Sequence, residues 1–514
     1  MDNRIPRRGN RSPSEARAAV SEQSLELEGV PLERRILELT RETADAASEA
    51  GARARIVVYA ATAAYASLFV TAAIVHYVVF KTARPDLGNM VQTIWTTLHG
   101  HFLETTTLTG RQTSRLGIHV DPFLVVMAPL YWLWSSPLLL VVFQALAVSS
   151  GALPVFWLAR KHLGSERGAV HFALAYLLYP ATQFNAFTVT SSFHAVAIAV
   201  PLVLFAIWFL DENRLVPFAF FALLAASTKE EIPLAVGCLG IWYAVRKGRR
   251  LAGGTIFALG LSVTLFNFLW VIPHFSPSGI NPFVGRYQDV GTTPGGMVHK
   301  LFTDPAAFLQ TAATGHKALY LVLLLAPFLG LWLLEPLLLL GAIPDLTINL
   351  LSSKTDQTSI PFHWTAGIIP FVVAASIFGA ARFKGQVVRV SLYALVGCTA
   401  IAIFSPIYFL NGDVQELSSP LRAVKAHAVD LIPPGAPVSA SSQLGGHLSE
   451  RRYSYSFPYV RRARWIIVDR NDETYGDMAG FRRYIRRYES DPRWRTVFSS
   501  RGISVLRKRG DGTQ

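Results

Sequence analysis

Long apolar runs separated by short polar segments make up most of the chain. The runs at residues 56–80, 137–158 and 387–410 each approach or exceed the roughly 20 residues that cross a bilayer core as a helix. The pattern therefore predicts an α-helical polytopic membrane protein with about eleven transmembrane helices. We place them at residues 54–80, 137–158, 168–187, 195–210, 215–228, 232–245, 251–272, 318–334, 337–351, 363–381 and 387–410.

Basic residues cluster between these runs, and short cytoplasmic loops carry such an excess of Lys and Arg. Placing all clusters inside predicts a cytoplasmic N-terminus and a C-terminus outside the cytoplasm. The apolar residues 118–134 are interpreted as a re-entrant or interfacial segment, because a further crossing there would put the later clusters outside. The clusters are Arg53 and Arg55; Arg160, Lys161 and Arg167; Arg214; Arg246, Lys247, Arg249 and Arg250; and Arg382, Lys384 and Arg389.

The segments outside the spans differ in character. Residues 1–52 mix Arg, Ser and Glu without an apolar core, which predicts a largely disordered cytoplasmic tail with no cleavable signal peptide. Within it, residues 32–47 carry Leu and Ile at helical spacing and suit a surface helix. The transmembrane domain, residues 53–410, is expected to have long outer loops at residues 81–136 and 273–317.

Residues 411–514 follow another pattern, in which short strand-like runs alternate with helical segments and a Pro-Pro-Gly turn. Helices are predicted near residues 420–431 and 478–488. The segment is therefore expected to be a small extracytoplasmic α/β domain. Its predicted strands are residues 438–441, 453–457, 465–469, 496–499 and 503–507.

Composition agrees with the membrane class. Hydrophobic residues make up 51% of the chain and charged residues 16%, with a mean hydropathy of +0.33, whereas a soluble globular chain is about a quarter charged. The net charge of +14 does not indicate nucleic acid, because no nucleic-acid motif is present and topology and lipid headgroups explain the basic clusters better. Cys238 and Cys398 lie within apolar runs and are interpreted as small hydrophobic side chains.

The first outer loop brings acids to the membrane–water boundary. Asp86 follows the first span directly and suits either an acid with a chemical role or an N-cap of the next helix, since Asp is a preferred cap. His119 and Asp121 would add a histidine and a second acid at the same mouth. A hydrogen-bonded interfacial histidine would also fit His119.

The triplet Lys229, Glu230 and Glu231 joins two apolar arms of only about 14 residues, which as helix reach about 21 Å against a bilayer core of about 30 Å. The charges are therefore expected to dip below the outer surface. Charges there normally face a water-filled cavity or pair with one another, because burying one costs on the order of 3 kcal/mol or more. A solvated hairpin under a locally thinned bilayer is the alternative.

Five further polar residues share the predicted outer side of the membrane: His194, Arg286, Tyr287, Gln357 and His363. Arg286 suits a phosphate best, because guanidinium stays charged and binds such oxygens with two parallel hydrogen bonds. No nucleotide-binding, zinc-protease or nucleophile-elbow motif stands in a fitting context, and no inverted repeat favours a secondary transporter. No residue is assigned as a metal ligand, and the cofactor, a divalent cation included, stays open.

These residues resemble the motifs of a bacterial family of predicted polytopic membrane proteins of unknown function, DUF2079, over about residues 80–470. The family usually has Pro-Glu after the histidine that corresponds to His194, where this chain has Ala195 and Val196, so a role for an acid there is lost. The matching motifs are Asp86-Leu87-Gly88 with Trp95 and His99-Gly100; His119 with Pro122 and Pro129-Leu130-Tyr131; Lys229-Glu230; Arg286-Tyr287; Asn349-Leu350-Leu351 with Gln357 and His363; and Pro433-Pro434 with Ser439-Ala440-Ser441 and His447-Leu448-Ser449.

That family is grouped with the GT-C glycosyltransferases, and the chain resembles their layout of many helices, a long first outer loop with an essential acid, and an outer soluble domain. The resemblance implies a GT-C-like fold and a polyprenyl-phosphate sugar donor. Asp86 matches the essential acid, although GT-C members often have a second adjacent acid where Leu87 stands. Fold by itself does not fix function.

Two functions follow as hypotheses. The first is inverting glycosyl transfer on the outer face of the bacterial cytoplasmic membrane, to a glycan, protein or lipid acceptor, with Asp86 as the catalytic base. Arg286, with Lys229 or His119, would stabilise the departing lipid phosphate. The alternative is a non-enzymatic transporter or scaffold for lipid-linked glycans in the cell envelope, which needs no base. Under the first hypothesis the substrate-binding residues are His119, Asp121, His194, Lys229, Glu230, Glu231, Arg286, Tyr287, Gln357 and His363.

Overall fold

A computed structural model describes residues 32–188, 193–402 and 405–510 of the chain. Residues 1–31 of the tail that is predicted to be disordered lie outside the described residues. The chain divides into two compact units, Met1–Val57 and Val58–Gln514, and the features below belong to the second, except for the part of the first helix before Val58. The predicted boundaries at residues 52/53 and 410/411 remain predictions.

Helices dominate the described residues. The first part of the chain contains Leu32–Val78, Asn89–Leu98, Phe123–Leu133, Leu138–Ser150, Ala152–Leu163, Glu166–Leu178, Pro180–Ala186, Ala199–Asp211, Leu215–Ala226, Ile232–Arg246 and Arg250–Phe266. The later helices are Ile272–Phe275, Pro294–Thr303, Pro305–Ala312, Gly315–Leu325, Pro336–Leu339, Ile343–Leu351, Ile369–Ala380, Val387–Ile401, Ile407–Glu416, Pro420–Asp430, Ser442–Gly446 and Met478–Ser490. Two π-helical turns, Arg84–Gly88 and Asn267–Val271, stand between them.

Three helical stretches of the described residues are long and apolar enough to cross a membrane: Ser48–Val78, Leu138–Leu163 and Arg250–Phe275. All three lie at predicted spans. Seven of the shorter apolar helices also fall at predicted spans, and the helix Phe123–Leu133 occupies the segment interpreted as interfacial. The predominantly helical fold with a small C-terminal sheet is therefore confirmed, while the number of eleven crossings remains a prediction.

Several predicted spans are shorter or more broken in the structure than their hydropathy indicates. Residues 168–187 form two helices, because Pro180 offers no backbone N–H and the residue before it, Tyr179, is extended. Residues 363–381 are α-helical only from Ile369, and in residues 387–410 one helix ends at Ile401 and another begins at Ile407. The helix expected at residues 32–47 continues without a break into the first span.

Glycines set the packing of the two helices that follow Glu231, Ile232–Arg246 and Arg250–Phe266. A Cβ atom on Gly240 would lie 2.3 Å from the carbonyl oxygen of Gly253, and one on Gly260 would lie 2.3 Å from that of Pro233. Small residues let helices in a membrane approach closely where the hydrophobic effect does not drive them together. This close pair holds the charged triplet at its end.

Ion pairs join the loops that the predicted topology places in the cytoplasm. The buried carboxylate of Asp211 lies 2.6 Å from Nζ of Lys161 and 2.9 Å from Nζ of Lys247. Glu335 pairs likewise with Arg246, at 2.5 Å, and with Arg382, at 3.6 Å. Five separate loops therefore meet at one end of the helices, which is the arrangement that a common cytoplasmic side requires.

The C-terminal sheet has five strands: β3 (Val438–Ala440), β4 (Ser454–Ser456), β5 (Trp465–Asp469), β6 (Trp494–Ser500) and β7 (Ile503–Lys508). Their order is β4-β3-β5-β7-β6, with β3 parallel to β4 and β5, and β7 antiparallel to β5 and β6. These strands confirm those predicted from the sequence. A further hairpin in the first outer loop, β1 (Glu104–Thr106) and β2 (Gln112–Ser114), was not predicted.

The C-terminal domain packs on the end of the first long helix. Phe80 is buried in the same apolar cluster as Val438 and Val505, and the ring of His447 stacks on Tyr77 and Phe80 at centroid distances of 4.1 Å. The domain therefore lies at the end of that helix from which the first outer loop leaves.

We expect the domain to lie outside the cytoplasm, because it contacts the first outer loop while the basic clusters meet at the opposite helix ends. An alkaline phosphatase fused after residue 510 should be active, since this enzyme folds only outside the reducing cytoplasm. A fusion after Arg249, in a predicted cytoplasmic loop, serves as the inactive control. An inactive C-terminal fusion, with a cytoplasmic reporter active at the same place, would overturn the topology.

Candidate functional site

The predicted site residues line two adjoining cavities in the described part of the chain. The first, of about 620 Å³, contains Asp86 and is called the Asp86 cavity. The second, of about 500 Å³, contains Tyr287 and is called the Tyr287 cavity. Five residues line both and form their shared wall: His119, Lys229, Phe283, Arg286 and Trp364.

Asp86 lies in the π-helical turn Arg84–Gly88, and single π-helical turns recur at functional sites. The N-cap positions of this turn and of the helix after it are held by Ala83 and Gly88. The interpretation of Asp86 as a helix cap is therefore wrong, because the helical turn begins at Arg84 and Asp86 lies inside it. Its side chain, 34% exposed, borders the cavity instead.

The carboxylate of Asp86 is held by no hydrogen bond within the described residues, and the Nε2 atom of His194 lies 3.7 Å from its Oδ1 atom. Burial raises the pKa of Asp86 to about 7, against the charges of Arg115 and Lys354. Burial also lowers the pKa of His194 well below its usual range, and the charge of Arg115 lowers it further. A neutral His194 adds no compensating charge beside Asp86, so the carboxylate can take up a proton near pH 7.

The other predicted acids of the first mouth are already paired. The guanidinium of Arg115 donates to both carboxylate oxygens of Asp121, with distances of 2.7–3.1 Å, and both side chains are buried. Glu230 accepts hydrogen bonds from the backbone N–H of Val120, at 3.0 Å, and binds Nδ1 of His119 at 2.9 Å. These carboxylates are consequently structural partners of cations or donors.

The charged triplet is buried, as its short flanking helices predict. Lys229 lies 2.5 Å from Glu231, and the exposed fractions of the two side chains are 10% and 3%. The solvated hairpin is therefore wrong, because the helices before and after the triplet are too short to lift it into bulk water. Lys229 also lies over the ring of Trp364, 4.4 Å from its centroid.

Arg286 occupies the shared wall with its charge less compensated than that of Lys229. Its guanidinium lies over the ring of Phe283 at 4.1 Å and over that of Trp364 at 5.5 Å. Within the described residues no carboxylate lies at ion-pair distance, and its hydrogen bond goes to Oε1 of Gln357 at 3.4 Å. A guanidinium held on aromatic faces keeps its hydrogen-bond donors for an anion.

The Tyr287 cavity combines this polar wall with apolar side chains. Gln357 donates to the hydroxyl of Tyr287 at 3.5 Å and accepts from Ser352 at 2.6 Å. The apolar lining comes from Phe268 and Leu269, within the second π-helical turn, and also from Ile280, Met297, Ile348 and Leu351. The cavity thus has one polar end, at the shared wall, and an apolar remainder.

His194 and His363 stack on each other in the Asp86 cavity, with ring centroids 3.5 Å apart. Both are buried, and the Nε2 atom of His194 and the Nδ1 atom of His363 have no hydrogen-bond partner among the described residues. Unpaired buried polar atoms cost free energy unless a ligand or water satisfies them. The two rings therefore supply polar atoms for a ligand in this cavity.

All the predicted site residues thus line one cavity or both. Sequence reasoning missed Arg115, Lys354 and Trp364, which line the Asp86 cavity. Arg115 had one signal, since a basic residue in a predicted outer loop runs against the cytoplasmic excess of Lys and Arg. Among the described residues, no group of three or more His, Cys, Asp and Glu could hold a metal ion.

Residues 76–505 match the family described as predicted membrane protein, DUF2079. The chain therefore belongs to this family, and the family recognised from its motifs is confirmed. No curated protein matches the chain.

Solved structures of similar fold include ArnT from Cupriavidus metallidurans bound to undecaprenyl phosphate and the same protein in the apo state. The TM-scores are 0.49 and 0.48, with 12% sequence identity in each case. Each comparison covers 87% of this chain, and 99% and 98% of the respective ArnT chains.

Proposed function

We propose that this DUF2079 protein is a GT-C-like glycosyltransferase that uses a polyprenyl-phosphate-linked sugar on the outer face of the bacterial cytoplasmic membrane. The observation that carries the proposal is the state of Asp86. It is a carboxylate that borders a cavity, has no hydrogen-bond partner among the described residues, and has a pKa raised to about 7. A general base works best when its pKa lies near the working pH.

The chemistry of each cavity matches a different part of the donor. The apolar part of the Tyr287 cavity suits the isoprenoid chain, and its lining residue Leu269 is 59% exposed on a helix long enough to span the membrane. That exposure gives the isoprenoid chain of the donor a lateral route from the bilayer into the cavity. The sugar would lie in the Asp86 cavity, beside the polar atoms of His194 and His363.

The phosphate would then lie at the shared wall, where Arg286 binds it through charge-assisted hydrogen bonds. Lys229 supports it less, because Glu231 already compensates its charge. His119 keeps its Nδ1 atom on Glu230, which leaves Nε2 for the phosphate. Donors aimed at the charge that develops on a leaving group usually supply the largest catalytic effect.

The reaction follows from this placement. The acceptor hydroxyl oxygen attacks the anomeric carbon from the side opposite the phosphate and gives its proton to Asp86. The bond between the anomeric carbon and the phosphate oxygen breaks, and its electron pair leaves with the polyprenyl phosphate. The products are the glycoside with inverted configuration and the lipid phosphate, and the proton passes from Asp86 to water.

The test is incubation of the purified full chain with a panel of radiolabelled polyprenyl-phosphate sugars and with lipid, glycan and protein acceptors. We expect transfer from one donor, and a weaker apparent affinity for it in Arg286→Gln. Lys300→Gln, in an exposed helix of the second outer loop, is the matched control. Donor binding without transfer to any acceptor class would favour the non-enzymatic transporter or scaffold.

A further inference from the structure

Arg84 is a charged residue buried without a carboxylate. Its side chain has 0% exposure, and its guanidinium donates to the carbonyl oxygens of Ser454, at 2.5 Å, and Thr106, at 2.8 Å. A third hydrogen bond goes to Oγ of Ser456, at 2.9 Å. Burial lowers the pKa of Arg84 to about 10, which leaves it charged at neutral pH. Removing a charge from water costs free energy, which these hydrogen bonds have to offset.

Two of the three partners of Arg84, Ser454 and Ser456, belong to β4 at the edge of the C-terminal sheet, and the third, Thr106, ends β1 of the hairpin in the same outer loop. β4 is an edge strand, and its carbonyls on the open side would otherwise lack ladder partners. Gly445 follows β3, and a Cβ atom there would lie 2.8 Å from Cβ of Arg84. Arg84, from the first outer loop, therefore lies against both the open edge of β4 and the helix Ser442–Gly446 that follows β3.

The same contact fixes the turn that carries Asp86. A Cβ atom on Gly88 would lie 2.4 Å from Oγ of Ser449, and one on Gly446 would lie 2.9 Å from Oγ1 of Thr82. The chain on both sides of Asp86 is therefore pressed against the C-terminal domain with no room for further side-chain atoms. Asp86 itself borders the cavity on the other side of the turn.

We propose that Arg84 is a positioning residue, which anchors the Asp86 turn to the edge of the C-terminal sheet and so holds the carboxylate in its cavity. The catalytic consequence rests on the proposed role of Asp86 as base. The anchoring itself does not. On this view the C-terminal domain acts as a scaffold for the active-site loop.

Hydrogen–deuterium exchange of the purified full chain tests the anchoring without any activity assay. In Arg84→Met we expect the backbone amides of residues 86–89 to exchange at least about tenfold faster, because local opening loses its main restraint. Arg451→Met is the matched control: Arg451 is also buried and donates to a backbone carbonyl, that of Ala436, at 2.7 Å. Equal protection in both variants, or equal loss in both, overturns the proposal.

Ser456→Ala provides the variant that keeps the fold if Arg84→Met does not. It removes one acceptor of the guanidinium and leaves two backbone acceptors in place. We expect a smaller acceleration of exchange, confined to the same amides. Unchanged exchange there overturns the proposal, because the hydroxyl would then contribute nothing to the anchor.

Kinetics test the consequence for the proposed reaction. Misplacing a reacting group by about 1 Å can cost on the order of a hundredfold, so Arg84→Lys should lower kcat by at least about tenfold while the donor KM stays within about twofold. The acid limb of the pH profile should also move, because Asp86 changes its distance from Arg115. An unchanged kcat and pH profile contradicts positioning. If Asp86→Asn itself proves silent, the base assignment fails, and the exchange experiment still decides the anchoring.

Discussion

Asp86→Asn is expected to lower the rate of glycosyl transfer by at least about a hundredfold, which is the low end for removing a general base. Asn keeps the size and polarity of Asp but cannot accept the proton of the acceptor hydroxyl. The side chain of Asp86 makes no hydrogen bond within the described residues and caps no helix. The substitution therefore removes no native hydrogen bond, and thermal stability should stay nearly unchanged.

The pH dependence gives a second readout of the same group. Because burial raises the pKa of Asp86 to about 7 in the free protein, the carboxylate form needed for catalysis is lost as the pH falls through that value. The wild-type kcat/KM for the donor should fall on the order of tenfold one unit below the pKa. The residual rate of Asp86→Asn should lack this acid limb.

Asp356→Asn is the matched control, since Asp356 lines the same cavity but pairs with Lys354 at 3.2 Å. Its rate should stay within about threefold of the wild type. A wild-type rate in Asp86→Asn, with an intact acid limb, would remove Asp86 as the base. The paired acids would then have to be reconsidered, beginning with Glu230.

Lys229→Met is expected to lower the free energy of unfolding by about 3–5 kcal/mol, the usual cost of breaking a buried ion pair by removing one partner. The carboxylate of Glu231, 3% exposed, loses its cation at 2.5 Å. Met keeps the length and the apolar stem of Lys, so the effect reports on charge more than on packing. Unfolding by SDS titration of the purified protein measures the change.

Two further variants test whether the loss of stability in Lys229→Met comes from the unpaired buried charge. Lys229→Met combined with Glu231→Gln should recover much of the lost stability, because it removes the uncompensated charge. Lys354→Met breaks an exposed pair with Asp356, for which about 0–1 kcal/mol is expected. A loss in Lys229→Met no larger than in Lys354→Met, or no recovery in the double variant, would show that the pair is not buried from solvent.

The sequence by itself determined the membrane class, the position of the apolar segments and the strands of the C-terminal domain. These features depend on local properties of the sequence. The length of an uninterrupted apolar run decides whether it can cross the bilayer, and alternating apolar and polar residues bounded by turn residues mark short strands. It also brought the candidate residues together in advance. His119, Lys229 and Arg286 were selected because one topology placed their loops on one side, and in the structure all three line both cavities.

Tertiary structure alone decided which of those residues are free and which are paired. Asp86 and Asp121 look alike along the chain, but Asp121 is neutralised by Arg115 while Asp86 borders the cavity without a hydrogen bond in the described residues. The π-helical turn that takes Asp86 out of the cap position depends on contacts of Gly88 and Arg84 with a domain more than three hundred residues later in the chain. Charge pairing and burial are properties of three-dimensional neighbours, and hydrophobic periodicity contains no information about them.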